Sequence, residues 1–116
     1  MKEIKRRLGM ATNKLKATKN LWKRGNERTK LKLLRALIFP IATYGSETWS
    51  LSKEAEKKIT AFEMKSYRRI LKIQWIEKRT NKSILEQLGN IPENWLLNTT
   101  ARQKLTFLDT LRGTSA

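Results

Sequence analysis

Side chains able to do covalent or proton-transfer chemistry are scarce in this chain of 116 residues. Asp109 is its single aspartate, and histidine and cysteine are absent. General-base and nucleophile roles would therefore fall to unusual groups. Nine glutamates lie scattered among lysines and arginines. Two-metal phosphoryl chemistry needs carboxylates in a cluster, and the spacing offers none. There is no Gly-rich phosphate loop, no possible disulfide and no ordinary zinc framework. The sequence predicts no cofactor, no metal site and no catalysis by this chain alone.

Basic residues interleaved with aromatics are the remaining signal. Lys and Arg number 26 against 10 acidic residues, a net charge of +16. An excess of that size exceeds what solubility needs and points to a polyanionic partner, most often nucleic acid. It is uneven: residues 1–32 hold twelve cations and two acids, residues 33–116 fourteen and eight. Candidate nucleic-acid contacts in the dense stretch are Lys5, Arg6, Arg7 and Lys14. Further on they are Lys65, Arg68, Arg69, Lys72, Lys78 and Arg79. Arg69 borders an apolar stripe, so Arg68 is the one expected to face solvent. Trp22, Tyr67 and Trp75 either stack on bases or sugars or plug the core, and helical aromatics usually pack.

These residues must be carried by helices. Ile4, Leu8, Ala11 and Leu15 recur at helical spacing and predict an amphipathic helix over 2–21. Gly25-Asn26 marks a turn. A second helix starts near Glu27, with a stripe of Leu31, Leu34, Leu37/Ile38, Ile41 and Tyr44. Leu33, Phe39 and Ala42 widen that stripe to nearly all round, as in a central buried helix. Pro40 should kink it and Gly45 should stop it. Ser52 is a good N-cap for a third helix over about 53–73, whose outer face carries Lys57, Lys58, Lys65, Arg68 and Lys72. Thr80 caps a short helix ended by Gly89. Pro92 suits the start of a last helix over 92–111, and the terminal GTSA should fray. Alternating strand patterns are missing. The expectation is an all-α fold, a small bundle of four to five helices: a domain over 1–90, an additional helix over 91–112 and a flexible tail over 113–116. No apolar run approaches the roughly 20 residues that span a bilayer. The opening MKEIKRRLGM has no apolar core of a secretory signal. No membrane contact is expected, and the composition fits a reducing intracellular compartment, with the nucleus the expected site.

From Ala36 onward, "LIFPIATYGSETWSLSK…ITAFEMKSYRRILKIQWIEKRTNKSILEQLG" resembles the region just after the polymerase core in reverse transcriptases of non-LTR (LINE-type, RTE-like) retrotransposons. The residues that carry the resemblance are Pro40, Tyr44, Gly45, Glu47, Thr48 and Trp49. Phe62, Arg68-Arg69-Ile70-Leu71, Trp75 and Arg79-Thr80-Asn81 follow. The resemblance spans roughly 1–112, is strongest over 34–89 and is weak after 92. The family often has Cys where this chain has Ser46. The Tyr/Phe-x-Asp-Asp motif of the family's palm has no counterpart here, so the resemblance implies the helical thumb and the segment after it. A thumb grips the sugar–phosphate backbone of a template–primer, an RNA–DNA hybrid or duplex, without reading bases. It also docks on the palm. Apolar surface left uncovered on that side would suit a protein–protein module or self-association instead, and a remnant with no selected function is the third reading.

One stretch, Tyr44 to Lys53, spends a Tyr, a Glu and a Trp on a connection. It reads as a structural corner, with Trp49 and Leu51 turned inward. Glu47 either accepts from backbone N–H groups or from an arginine such as Arg69, or, as the resemblance implies, meets the palm.

Overall fold

The computed structural model describes residues 2–23, 25–46, 49 and 52–111, the side chains of Trp75, Lys104 and residues 106–111 excepted. It is an all-α bundle without strands among the described residues. Helix α1 (Lys2–Ala17) buries Ile4, Ala11 and Leu15, as its periodicity predicts. It ends four residues short of the predicted 21. Residues Lys19–Trp22 tighten into a 3₁₀ turn that seats Trp22 in the core, and its indole Nε1–H donates to the Leu15 carbonyl over 3.3 Å. This tryptophan therefore plugs the core, and so does Trp49, 5% exposed.

Asn26 caps α2 (Glu27–Leu33), its Oδ1 accepting the Thr29 N–H over 2.8 Å. The helix then widens into a π turn over Leu34–Ile38, where the Phe39 N–H reaches back five residues to the Leu34 carbonyl, and resumes as α3 (Phe39–Thr43). Proline at position 40 has no N–H to give, and in a regular helix its ring would crowd the carbonyl four residues back. The predicted disturbance at Pro40 thus takes the form of a wide turn just before it. A π turn adds one residue to the helical count and shifts the apolar phase. Leu31 and Leu34 are buried as predicted. Beyond them the buried residues are Ile38, Phe39, Ala42 and Thr43, while Leu37 is 45% and Tyr44 74% exposed. Ile38, Phe39 and Ala42 are thus buried as predicted and Ile41 packs against the core, while Leu37 and Tyr44 are the predicted stripe positions that turn outward.

Helix α4 (Lys53–Ile70) starts where Ser52 predicts, the serine Oγ accepting the Ala55 N–H over 3.2 Å. It stops at Ile70, not 73. Lys72 takes φ 57°, and the Ile73 N–H closes on the Arg68 carbonyl over 2.9 Å, a Schellman stop with lysine in the left-handed position that glycine usually fills. Thr80 caps α5 (Asn81–Gln87) through the Ser83 N–H at 3.1 Å, and Gly89 follows it at φ 105°. Helix α6 (Trp95–Leu111) begins three residues after Pro92, past an Asn94 at φ 58°. Leu96 belongs to the same core cluster as the residues of α1 to α5. Phe39 is the hub of that core, with ring centroids 5.9 Å from Phe62, 6.1 Å from Tyr67 and 5.7 Å from Trp95.

Candidate functional site

The outer face of α4 forms one wall of a groove of about 760 Å³. Lys53, Lys57, Lys65 and Arg68 line it with a single carboxylate, Glu56. Asn81 and Asn94 come from the opposite side, and Ala61, Met64 and Leu97 supply apolar surface between the polar groups. Three- and four-residue steps keep these α4 side chains on one face. From 53 to 68 the row is about 22 Å long at 1.5 Å per residue. Asn94 is held there by the Thr60 hydroxyl, which donates to its Oδ1 over 3.3 Å.

Arg68 is the anchored member of this row. Its Nη2 donates to the Arg79 carbonyl over 3.1 Å and to Asn81 Oδ1 over 2.8 Å, which ties α4 to the start of α5. The expectation for the arginine pair is reversed: Arg68 is half-buried and Arg69 is the exposed one. Ile70 and Tyr67 occupy the apolar face, which turns residue 69 outward. Arg79 also departs from its predicted part. Its Nε and Nη2 donate to Ser83 Oγ over 3.0 and 2.7 Å, and Nη1 donates to Gln87 Oε1. Gln87 Nε2 in turn donates to Glu27 Oε1 over 2.9 Å. The guanidinium is thus spent on α5, and Gln87 carries the link on to α2. Lys72 and Lys78 are exposed at φ 57° and 51° on the connection between α4 and α5.

The N-terminal cations are not brought into the α4 groove. Lys5 and Lys14 are exposed on α1. Arg6 pairs with Glu3 over 2.9 Å, an exposed contact worth little. Arg7 lies over the Tyr44 ring, 5.0 Å from its centroid.

Tyr44 belongs to the corner at the end of α3. It has φ −58° and ψ 124°, and Gly45 follows at φ 76°, the central dihedrals of a type II turn. A Cβ added at Gly45 would meet nothing within 4 Å, so the backbone angle and not crowding demands glycine. Ser46 is fully buried, and its hydroxyl donates to Gln103 Oε1 of α6 over 2.7 Å. Between the corner and α6 lies a second groove of about 800 Å³, with Arg35, Phe39, Tyr44, Trp95, Arg102 and Gln103 in its walls. Glu47, Thr48 and Leu51 lie outside the described residues, as do the Trp75 side chain and the terminal GTSA.

Sequence reasoning missed Glu63. It is 1% exposed in the middle of α4. Tyr67 donates to its Oε2 over 2.6 Å, and the Leu96 N–H to its Oε1 over 3.1 Å. The carboxylate thus caps the first turn of α6 from a neighbouring helix. Burial pushes its pKa above the usual carboxylate range, while Tyr67, the Leu96 N–H and the Arg35 charge act against that rise. Burial, and then the adjacent carboxylate, push the Tyr67 phenol upward. Arg35 completes the cluster, its guanidinium 4.1 Å from the Trp95 ring centroid. The available signal was position: residue 63 is four after Ile59 and four before Tyr67, on the apolar stripe.

Among the described residues no group of three or more His, Cys, Asp or Glu is placed to hold a metal ion, and no helix is long and apolar enough to cross a membrane. The chain matches no family model, and no curated protein or solved structure is significantly similar to it.

Proposed function

We propose that this chain is a nucleic-acid-binding helical module that holds the backbone of a duplex or RNA–DNA hybrid along the α4 groove without reading its sequence. The observation that carries the proposal is the row of Lys53, Lys57, Lys65 and Arg68 on one helix face, within a chain of net charge +16. Its ammonium groups suit phosphates, since they are compact point charges on long stems. The Oδ1 atoms of Asn81 and Asn94, whose amides could otherwise meet a base edge, already accept from Arg68 and Thr60 within the chain. The resemblance of residues 34–89 to the segment after the polymerase core supports the same reading. On it, the chain corresponds to the thumb of an RTE-like non-LTR retrotransposon reverse transcriptase and acts as a binder, not as the polymerase.

The test is binding of the purified chain to duplexes and hybrids of unrelated sequence over a salt series. Affinity should fall steeply and linearly in log–log form as phosphates release counterions, with little difference between sequences. A flat salt response, or no binding at low salt, sinks the proposal. With template–primer, nucleotides and a divalent metal the chain should incorporate nothing.

A further inference from the structure

Tyr44 is a large aromatic side chain that the fold exposes when burial was open to it. The π turn rotates it out of the apolar stripe, the type II corner fixes its backbone, and Ser46 pins that corner to α6. The residue is 74% exposed, and its ring is backed by the Arg7 guanidinium. An aromatic ring braced by an arginine, held rigidly at the mouth of a groove, is a surface for stacking a planar group. The groove behind it carries Arg35 and Arg102, and no carboxylate lines it among the described residues. Glu63 lies behind that wall, fully buried, bonded to Tyr67 and Leu96 and facing Arg35, so Arg7, Arg35 and Arg102 outnumber the one described carboxylate near this corner. The mouth therefore selects a flat partner and the wall an anionic one. A nucleotide unit combines both properties, whereas an acidic peptide has the charge without the plane.

We infer that the groove between α3 and α6 takes one unpaired nucleotide, with its base on the Tyr44 ring and its phosphate toward the groove arginines. This rests on the nucleic-acid reading above and adds to it. The first turn of α6 is a wall of both grooves, with Asn94 and Leu97 facing the α4 side and Trp95 and Leu96 the α3 side. A strand that leaves a duplex held along α4 thus has a receptor for its first unpaired base on the other flank of the same helix.

The experiment compares the whole chain's affinity for a blunt duplex, the same duplex with a short unpaired tail, and the same tail made abasic. The tail should tighten binding roughly fivefold or more, the low end of what one base gains on an aromatic side chain, and the abasic tail should lose that gain. Tyr44→Leu should abolish the gain and leave blunt-duplex affinity unchanged, while Tyr44→Trp should keep it. A fluorescent purine analogue in the tail should be quenched on the native chain and not on Tyr44→Leu. A tail gain that survives Tyr44→Leu overturns the inference, as does blunt-duplex binding with no tail gain. In both cases the nucleic-acid reading stands. Failure to bind any of the three removes both. Displacement of a bound tail by an acidic, aromatic-free peptide at equal concentration assigns the groove to protein and also overturns it.

Discussion

The Tyr67 phenol and the Glu63 carboxylate meet at 2.6 Å inside the core, four residues apart on one helix. Through its second oxygen the same carboxylate holds the Leu96 N–H, so a single buried acid joins the middle of α4 to the start of α6. Tyr67→Phe should cost about 1–3 kcal/mol, the penalty for stranding a buried acceptor. Glu63→Ala should cost more, about 3–5 kcal/mol, because it also removes the countercharge that faces Arg35. Urea denaturation monitored by helicity checks both, and a Tyr67→Phe chain as stable as the parent would show that the bond contributes nothing.

The pH dependence has a definite sign. Burial raises the folded pKa of Glu63 above the ordinary glutamate value of 4.5, so between those two values the folded chain holds a proton that the unfolded chain has lost. Stability from this site therefore falls as pH rises from about 4.5 through the folded pKa, and then levels off. Glu63→Gln cannot titrate. Across that window the stability of the parent minus that of Glu63→Gln should decline with pH. A rising difference would mean that the paired, ionised form dominates.

Two glycines should respond in opposite directions. Gly45 sits at φ 76° in open space, so Gly45→Ala meets only the backbone cost of a left-handed L-residue, about 1–2 kcal/mol. Gly9 lies inside α1 with nothing within 4 Å of an added Cβ. Gly9→Ala should stabilise by about 0.5–1 kcal/mol. Thermal melts of the pair test the two backbone assignments together.

Arg79 and Lys65 should separate structure from binding. Arg79→Ala releases Ser83 and Gln87 and should cost about 1–2 kcal/mol. Lys65→Ala, exposed on α4, should leave stability within about 0.5 kcal/mol and lower the slope of log affinity against log salt by about one. Equal effects of the two substitutions on both measurements would erase the distinction drawn between them.

Much of this fold is written locally. Ser52 and Thr80 announce helix starts because each offers a short side-chain acceptor just before an apolar run, and the stripe of α1 fixes its buried face; Asn26, expected in a turn with Gly25, is a cap as well. The helix ends were less legible. Lys72 stops α4 in a conformation that sequence associates with glycine, and Trp22 ends α1 through a bond of its own indole. At the candidate site, helical spacing alone puts Lys57 and Lys65 on the outer face of α4, whereas the half-buried, anchored state of Arg68 depends on α5. Arg79, however, was indistinguishable in sequence from a surface cation, since its partners Ser83 and Gln87 matter only once α5 exists. By charge alone Glu63 is one more scattered acid; its place on the stripe, four residues from both Ile59 and Tyr67, is what marks it as buried.

The π turn of residues 34–38 makes the outward aim of Tyr44 a matter of counting. Removing one residue from that turn, together with Pro40→Ala so that a regular helix can close, would rotate everything downstream by about 100° and carry the tyrosine back to the apolar side. A one-codon deletion would then hide an exposed ring without altering a single residue of the YGSETW corner. In any set of related chains, the helix length between Asn26 and Gly45 should accordingly say more about whether this ring faces outward than the identity of the tyrosine itself.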